Sequence, residues 1–210
     1  MKKYITLFIL VLFCFSSCTT PSSQNVQNNT QQNTESDTKE NIQEDTEQTA
    51  VTDENGTTYT KSFGSYTVPT GWIESSVYST NDKFFYLLEG TEYKEKNETL
   101  PPNNISVNMG TNRYSAEDHI TFRQAIVNQL VHQLPKDTTL NGSGSHTAND
   151  YVLYTFTFSI TEDDMTLNAT QYYIVGDQKF VMVYESVYDG NTEEVDTIAK
   201  NIVDTFKWSE

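Results

Sequence analysis

The stretch YVLYTFTFSITEDDMTLNATQYYIVGDQKFVMVYESVYDGNTEEVDTIAKNIVDTFKW, residues 151–208, decides the fold. From Tyr151 onward, Val152, Tyr154, Phe156, Phe158 and Ile160 alternate with Thr155, Thr157 and Ser159. A period of two with aromatic and β-branched residues predicts a half-buried strand. Glu162-Asp163-Asp164 makes a polar turn, and a second β-rich run covers Thr166 to Val175. Gly176-Asp177-Gln178 turns the chain into a third run, Lys179 to Tyr188, which Asp189-Gly190 ends. The period then changes. Val195, Ile198, Ala199, Ile202, Val203 and Phe206 recur at three- and four-residue spacing, giving one apolar stripe on a helix from Thr192 to Phe206. Asn191 or Thr192 is placed to cap it, and Glu193 and Glu194 suit its positive N-terminus.

Upstream, strands are expected at Lys61 to Val68, from Trp72, over Phe84 to Leu88 and over Ile105 to Met109. A long polar loop from Thr91 to Asn104 lies between the last two. Ser115 with Asp118 three residues on announces a further helix, which Pro135 ends. Its expected apolar face joins Ile120, Val127, Val131 and Leu134, widened by Ala116, Ile126 and Leu130. Thr138 to Asp150, with Asn141-Gly142-Ser143-Gly144, reads as a flexible turn back into the sheet.

The first twenty residues give an address. Met1-Lys2-Lys3 is a short basic region, Tyr4 to Phe15 is almost wholly apolar, and Ser16-Ser17 precede Cys18. The run is too short for a permanent span and fits a cleavable signal over residues 1–17. A cysteine at that point resembles the bacterial lipobox, with Phe15 where Leu is usual. The resemblance implies a diacylglyceryl thioether on Cys18, acyl chains such as palmitate, and a protein held on the extracytoplasmic face of the cell membrane. Cys14 would be removed with the signal, leaving no free thiol for a disulfide or a thiolate site.

Residues 18–58 are mostly Gln, Asn, Thr, Ser, Asp and Glu, with eight acids against Lys39 between Thr19 and Thr60. This composition buries too little to offset chain entropy and reads as a disordered tether, leaving residues 59–210 as the folded domain. A net charge of -16 over the chain argues against nucleic acid, whose binding needs clustered Lys and Arg.

Three blocks carry a family resemblance. Tyr66-Thr67-Val68-Pro69-Thr70-Gly71-Trp72, then Gln171-Tyr172-Tyr173-Ile174-Val175-Gly176-Asp177-Gln178-Lys179-Phe180, then Ile202-Val203-Asp204-Thr205-Phe206-Lys207-Trp208 resemble the PsbP/Mog1-like domains, including the DcrB-like bacterial proteins. The resemblance implies an α+β fold, an antiparallel sheet packed between helices in an αβα sandwich. Members range from photosystem accessory proteins to a nuclear transport factor, many bacterial ones are lipoproteins, and the family brings no catalytic motif.

No cofactor is expected, and no reaction signature stands out. His119 and His132 are too far apart on one helix to share a metal, and His146 lies in the expected turn. Neither a G-x-S-x-G elbow nor a phosphate-binding loop occurs. Glu162-Asp163-Asp164 and Asp189 to Glu194 are turn and cap acids, or a weak Ca²⁺ site of loose spacing. Thirteen tyrosines are the remaining feature. Tyr151, Tyr172, Tyr173, Tyr184 and Tyr188 either fill half-buried strand positions or form a docking surface for an envelope protein. The function expected is that of a membrane-anchored, non-enzymatic accessory or binding domain. A glycan hydrolase with dispersed carboxylates and a weak Ca²⁺ module are the alternatives.

Overall fold

A computed structural model of the chain describes residues 49–91, 102–162 and 165–210. The expected signal peptide, Cys18 and the tether as far as residue 48 lie outside the described residues, as do Asp163, Asp164 and most of the Thr91–Asn104 loop. Two antiparallel sheets and two helices make up the described part, an α+β fold. Among the described residues no helix is long and apolar enough to cross a membrane.

The larger sheet is built around the deciding stretch. Strands β8 (Val152–Glu162), β9 (Met165–Gly176) and β10 (Lys179–Val187) follow one another as expected from the alternation. Upstream strands β4 (Trp72–Glu74), β5 (Lys83–Leu88) and β6 (Asn104–Thr111) extend the sheet beyond β10, and β7 (Asn141–His146) closes its other border, in the order β4-β5-β6-β10-β9-β8-β7. The smaller sheet has the order β1-β2-β3-β11, from β1 (Thr49–Asp53), β2 (Gly56–Lys61), β3 (Gly64–Pro69) and β11 (Lys207–Trp208).

Side chains alternate across the larger sheet, so its faces bury different groups. One face carries Ile174, Val181, Val183, Val187, Ile105 and Val107, all buried. Helix α2 (Thr192–Thr205) covers it with Val195, Ala199, Ile202 and Val203. The stripe read from the sequence is the stripe that is buried, and Phe206, just past the helix, is fully enclosed. The smaller sheet adds Phe63, Tyr66 and Val68 to the same core. Within it Tyr66 and Tyr86 share a hydroxyl hydrogen bond of 2.6 Å, and their rings meet edge to face. Lys61 lies over the Phe84 ring at 3.8 Å and pairs with Glu74 at 2.8 Å.

The opposite face is covered by helix α1 (His119–Gln133), entered through a short 3₁₀ turn whose first free amide, Asp118 N–H, is capped by Ser115 Oγ. Here the expected apolar face needs correction. Ile126, Leu130 and Leu134 of the expected face are buried, together with Phe122, whereas Ile120 is 69% and Val131 61% exposed, and Ala116 is exposed too. Phe122 packs on Tyr173 and Phe180 with ring centroids 6.0 and 5.3 Å apart. The aromatic floor of the sheet selects this stripe over the equally periodic Ile120 stripe. Phe180 in turn needs Gly110 opposite it, since a Cβ there would fall 2.2 Å from the ring.

Two further expectations change. Ladder pairing reaches upstream of the expected start at Tyr59, as far as Thr49, because β1 pairs with β2 and β2 with β3, so that hydrogen bonds hold a segment whose composition is otherwise polar. The segment expected as a flexible turn contains β7, paired with β8 over six residues. Gly142 and Gly144 serve there because the Phe156 and Tyr154 rings lie 3.0 Å from where their Cβ atoms would be.

Candidate functional site

The five tyrosines do not share one exposed surface: three are buried and two half-buried. Tyr172 and Tyr173 are neighbours on β9 and so point to opposite faces, 3% and 0% exposed. Tyr173 donates to Gln171 Oε1 inside the α1 layer, and Tyr184 is buried on that same face, opposite Gln171. Tyr151 packs edge to face on Phe206, and Tyr188 is half-buried at the end of β10. Their role is that of half-buried and buried strand aromatics.

The acids at 189–194 organise a turn. Asp189 Oδ1 accepts from Asn103 Nδ2 at 2.7 Å and from the Asn191 amide at 2.8 Å, which holds its carboxyl below the ordinary range. Asn191 Nδ2 donates to Glu194 Oε2. Of the histidines, His119 Nδ1 is 2.7 Å from the Tyr154 hydroxyl and His132 Nδ1 is 2.6 Å from the Asn128 carbonyl oxygen. Among the described residues no three His, Cys, Asp or Glu side chains group as metal ligands would.

The feature that stands out is one the sequence reading passed over. On β10, Val181, Val183, Glu185 and Val187 occupy alternate positions of the face covered by α2. An acid therefore interrupts an apolar row, and it is 2% exposed. The ladder places Glu185 opposite Thr170 of β9, Thr170 opposite Thr157 of β8, and Thr157 opposite Asn141 of β7. With strands about 4.8 Å apart, these four side chains form one polar row across the sheet. Helix α2 does not extend over its outer part, where Thr157 and Thr170 are half-buried and Asn141 exposed. The step between the first turn of α2 and this uncovered floor is a cleft of about 480 Å³, lined also by Thr192, Glu193 and Asp196 of α2 and by Asp137.

Hydrogen bonding inside the cleft is asymmetric. Asp196 is fully engaged: Oδ1 accepts from the Tyr172 hydroxyl at 2.5 Å, and Oδ2 from Lys200 Nζ at 2.6 Å. Glu185 accepts from Thr170, yet its Oε2 is buried and has no partner. Burial first, and then the neighbouring Asp196 charge, push the Glu185 carboxyl up to about 8, against smaller opposing effects of Lys200 and Thr170. Burial also raises the Tyr172 phenol, with Asp196 and Glu185 adding to it. Near neutral pH Glu185 is therefore mostly a neutral acid able to donate a proton in a hydrogen bond. An alternation of Val, Val, Glu, Val was the available sequence signal, since an inward acid at that spacing requires a special surrounding.

No protein-family model and no curated protein sequence matches the chain. Solved structures do match in fold. LpqN of Mycobacterium tuberculosis, described as involved in cell envelope biogenesis, is similar over 78% of this chain and 91% of its own, at 14% identity and a TM-score of 0.50. Cyanobacterial PsbP (CyanoP) of Synechocystis sp. PCC 6803 is similar over 77% and 92%, at 14% identity and a TM-score of 0.42. The Saccharomyces cerevisiae Ran-binding protein Mog1p is similar over 69% and 89%, at 10% identity and a TM-score of 0.39. At such identities likeness speaks for fold alone. Two antiparallel sheets, with α2 and α1 on opposite faces of the larger one, make this an α+β domain similar in fold to LpqN.

Proposed function

We propose that the chain is a non-enzymatic binding domain, held on the extracytoplasmic face of a bacterial membrane by a lipid on Cys18, and that the Glu185 cleft takes its ligand. One observation carries the second half. A buried carboxyl oxygen without a partner among the described residues is costly to leave unsatisfied, and Glu185, which carries it, lines a polar cleft. The address rests on the signal pattern ending in Cys18, and an envelope setting agrees with the description of LpqN.

Binding is favoured over hydrolysis by the state of Asp196. A glycan hydrolase needs a second carboxylate free to activate water or attack the sugar. Both Asp196 oxygens are committed, to Tyr172 and to Lys200.

Cross-linking on intact cells, followed by mass spectrometry, tests this reading. Wild type should capture an envelope component, and Glu185→Gln should capture less of it. Cys18→Ala should release the protein from the membrane. Soluble fragments appearing from purified cell wall incubated with the protein would replace the binding reading with the hydrolytic one.

A further inference from the structure

We propose that the cleft between the first turn of α2 and the uncovered part of the larger sheet binds the free primary ammonium of an amino sugar, with Glu185 as its counter-charge. The inference rests on the binding reading above and names the ligand class. Charge is the first argument. Among the described residues, Asp137, Glu185, Glu193 and Asp196 line the cleft, and no Lys, Arg or His does. Lys200, the nearest cation on α2, is already bonded to Asp196. A ligand entering here meets negative potential, so its complement is a cation.

The second argument is the unpartnered atom. Glu185 Oε2 is buried and accepts from no group among the described residues. A hard metal ion would require several oxygen ligands gathered at one point, and among the described residues no group of three acids or histidines is so gathered. An alkylammonium asks for less: three N–H donors, satisfied by one carboxylate oxygen and neutral oxygens beside it. Thr170 and Thr157 continue the row directly from Glu185.

The third argument separates a sugar from a lysine side chain. Moving outward from Glu185, the floor offers Thr170, Thr157 and Asn141 in succession, with Asn168 and Ser159 in the adjacent row. Hydroxyls and amides at strand spacing suit a ring bearing a hydroxyl beside its amine. Ser159 Oγ already donates to Asn168 Oδ1, so Thr157 and Asn141 are the groups such a ring would meet, and the methylenes of lysine offer them no hydrogen bond. A cleft of about 480 Å³ lies within the range of small-molecule sites.

Binding is linked to a proton. The groups facing Glu185 are Asp196 and Lys200 of α2 and Thr170 and Tyr172 of β9, with Glu193 and Asp137 on the rim and apolar Ile105 opposite on β6. In the free protein the carboxyl, pushed up to about 8, is mostly protonated at pH 7. An ammonium at Oε2 supplies the missing positive charge, so Glu185 ionises and its proton leaves to the buffer.

The test is calorimetric titration of the full chain at pH 6, where the sugar amine carries its proton and Glu185 is still mostly neutral, in two buffers of different ionisation heat. Three probes are used: a glucosamine tetramer, an N-acetylglucosamine tetramer and Nα-acetyl-lysine amide. The glucosamine tetramer should bind at least about tenfold more tightly than either of the others, with release of up to about one proton. Glu185→Gln, checked for native melting, should lose about tenfold or more in affinity and release no proton. Thr157→Val, on the half-buried floor, should weaken the tetramer while leaving proton release intact. Equal binding of both tetramers overturns the ammonium. Equal binding of the lysine derivative overturns the sugar. Unchanged affinity or proton release in Glu185→Gln overturns the role of Glu185. No binding of the glucosamine tetramer, with Glu185-dependent capture on cells retained, sinks the amino sugar and leaves the binding reading standing.

Discussion

Replacing Glu185 by Gln changes stability by an amount that depends on pH, and the sign follows from the cleft. In the unfolded chain this carboxyl titrates near its ordinary 4.5, and in the folded protein it is pushed up to about 8. Between those values the folded state holds a proton that the unfolded state has lost. Stability therefore falls as pH rises from about 4.5 and levels off above about 8. Glutamine has nearly the same shape and no proton to lose, so the substitution removes this loss. At about 1.4 kcal/mol per tenfold in proton affinity the ceiling is about 5 kcal/mol. Water entering the cleft screens the buried charge and brings the expected gain to about 2 kcal/mol. Urea unfolding of both proteins at intervals from pH 4 to pH 9 measures it. The two should be nearly equal at pH 4, and the variant should be about 2 kcal/mol more stable at pH 8.5. Every other group titrates in both proteins and cancels in the difference. A difference that does not vary with pH, or one that favours wild type at high pH, would refute the burial and charge environment assigned to Glu185.

Ile202→Ala on the buried stripe of α2 should cost about 2–5 kcal/mol in denaturant unfolding, against no more than about 0.5 kcal/mol for the exposed Lys200→Ala. On α1, Phe122→Ala should cost about 3–5 kcal/mol and Ile120→Ala under about 0.5 kcal/mol, and the reverse order would restore the Ile120 face. Tyr66→Phe should cost about 1–3 kcal/mol by stranding the Tyr86 hydroxyl, and Tyr66→Phe with Tyr86→Phe should cost less than the two singles added, as read from a double-mutant cycle. A chain starting at Thr49 should melt at the temperature of the full chain, whereas one starting at Tyr59, without β1 and half of β2, should melt several degrees lower by calorimetry.

What the sequence disclosed depended on whether a signal was local. The alternation from Tyr151 and the stripe from Val195 to Phe206 are set by the repeat of the element itself, and both appear in the structure where they were expected. Helix α1 has two apolar stripes, and only the aromatic floor made by Tyr173 and Phe180 chooses between them. In β7 the glycines that look like a turn are there because the Phe156 and Tyr154 rings lie against them from another strand. Strand β1 is polar and held by pairing rather than burial, so composition alone assigns it to the tether. Glu185 was visible only as one acid at an inward position. That it lines a cleft depends on where α2 ends relative to β8 and β7, a distance no local pattern contains.

The borders of the two sheets differ in how readily another chain could add to them. Strand β4 is three residues long and β11 two, too short to template much backbone pairing. Strand β7, Asn-Gly-Ser-Gly-Ser-His, has the low β-propensity that discourages an incoming strand. Among the described borders that leaves β1, Thr-Ala-Val-Thr-Asp, five residues long and exposed throughout, with Val51 at 67%. Self-association of the folded domain at high concentration should therefore begin at β1, edge to edge, and Val51→Lys should suppress it as light scattering would register.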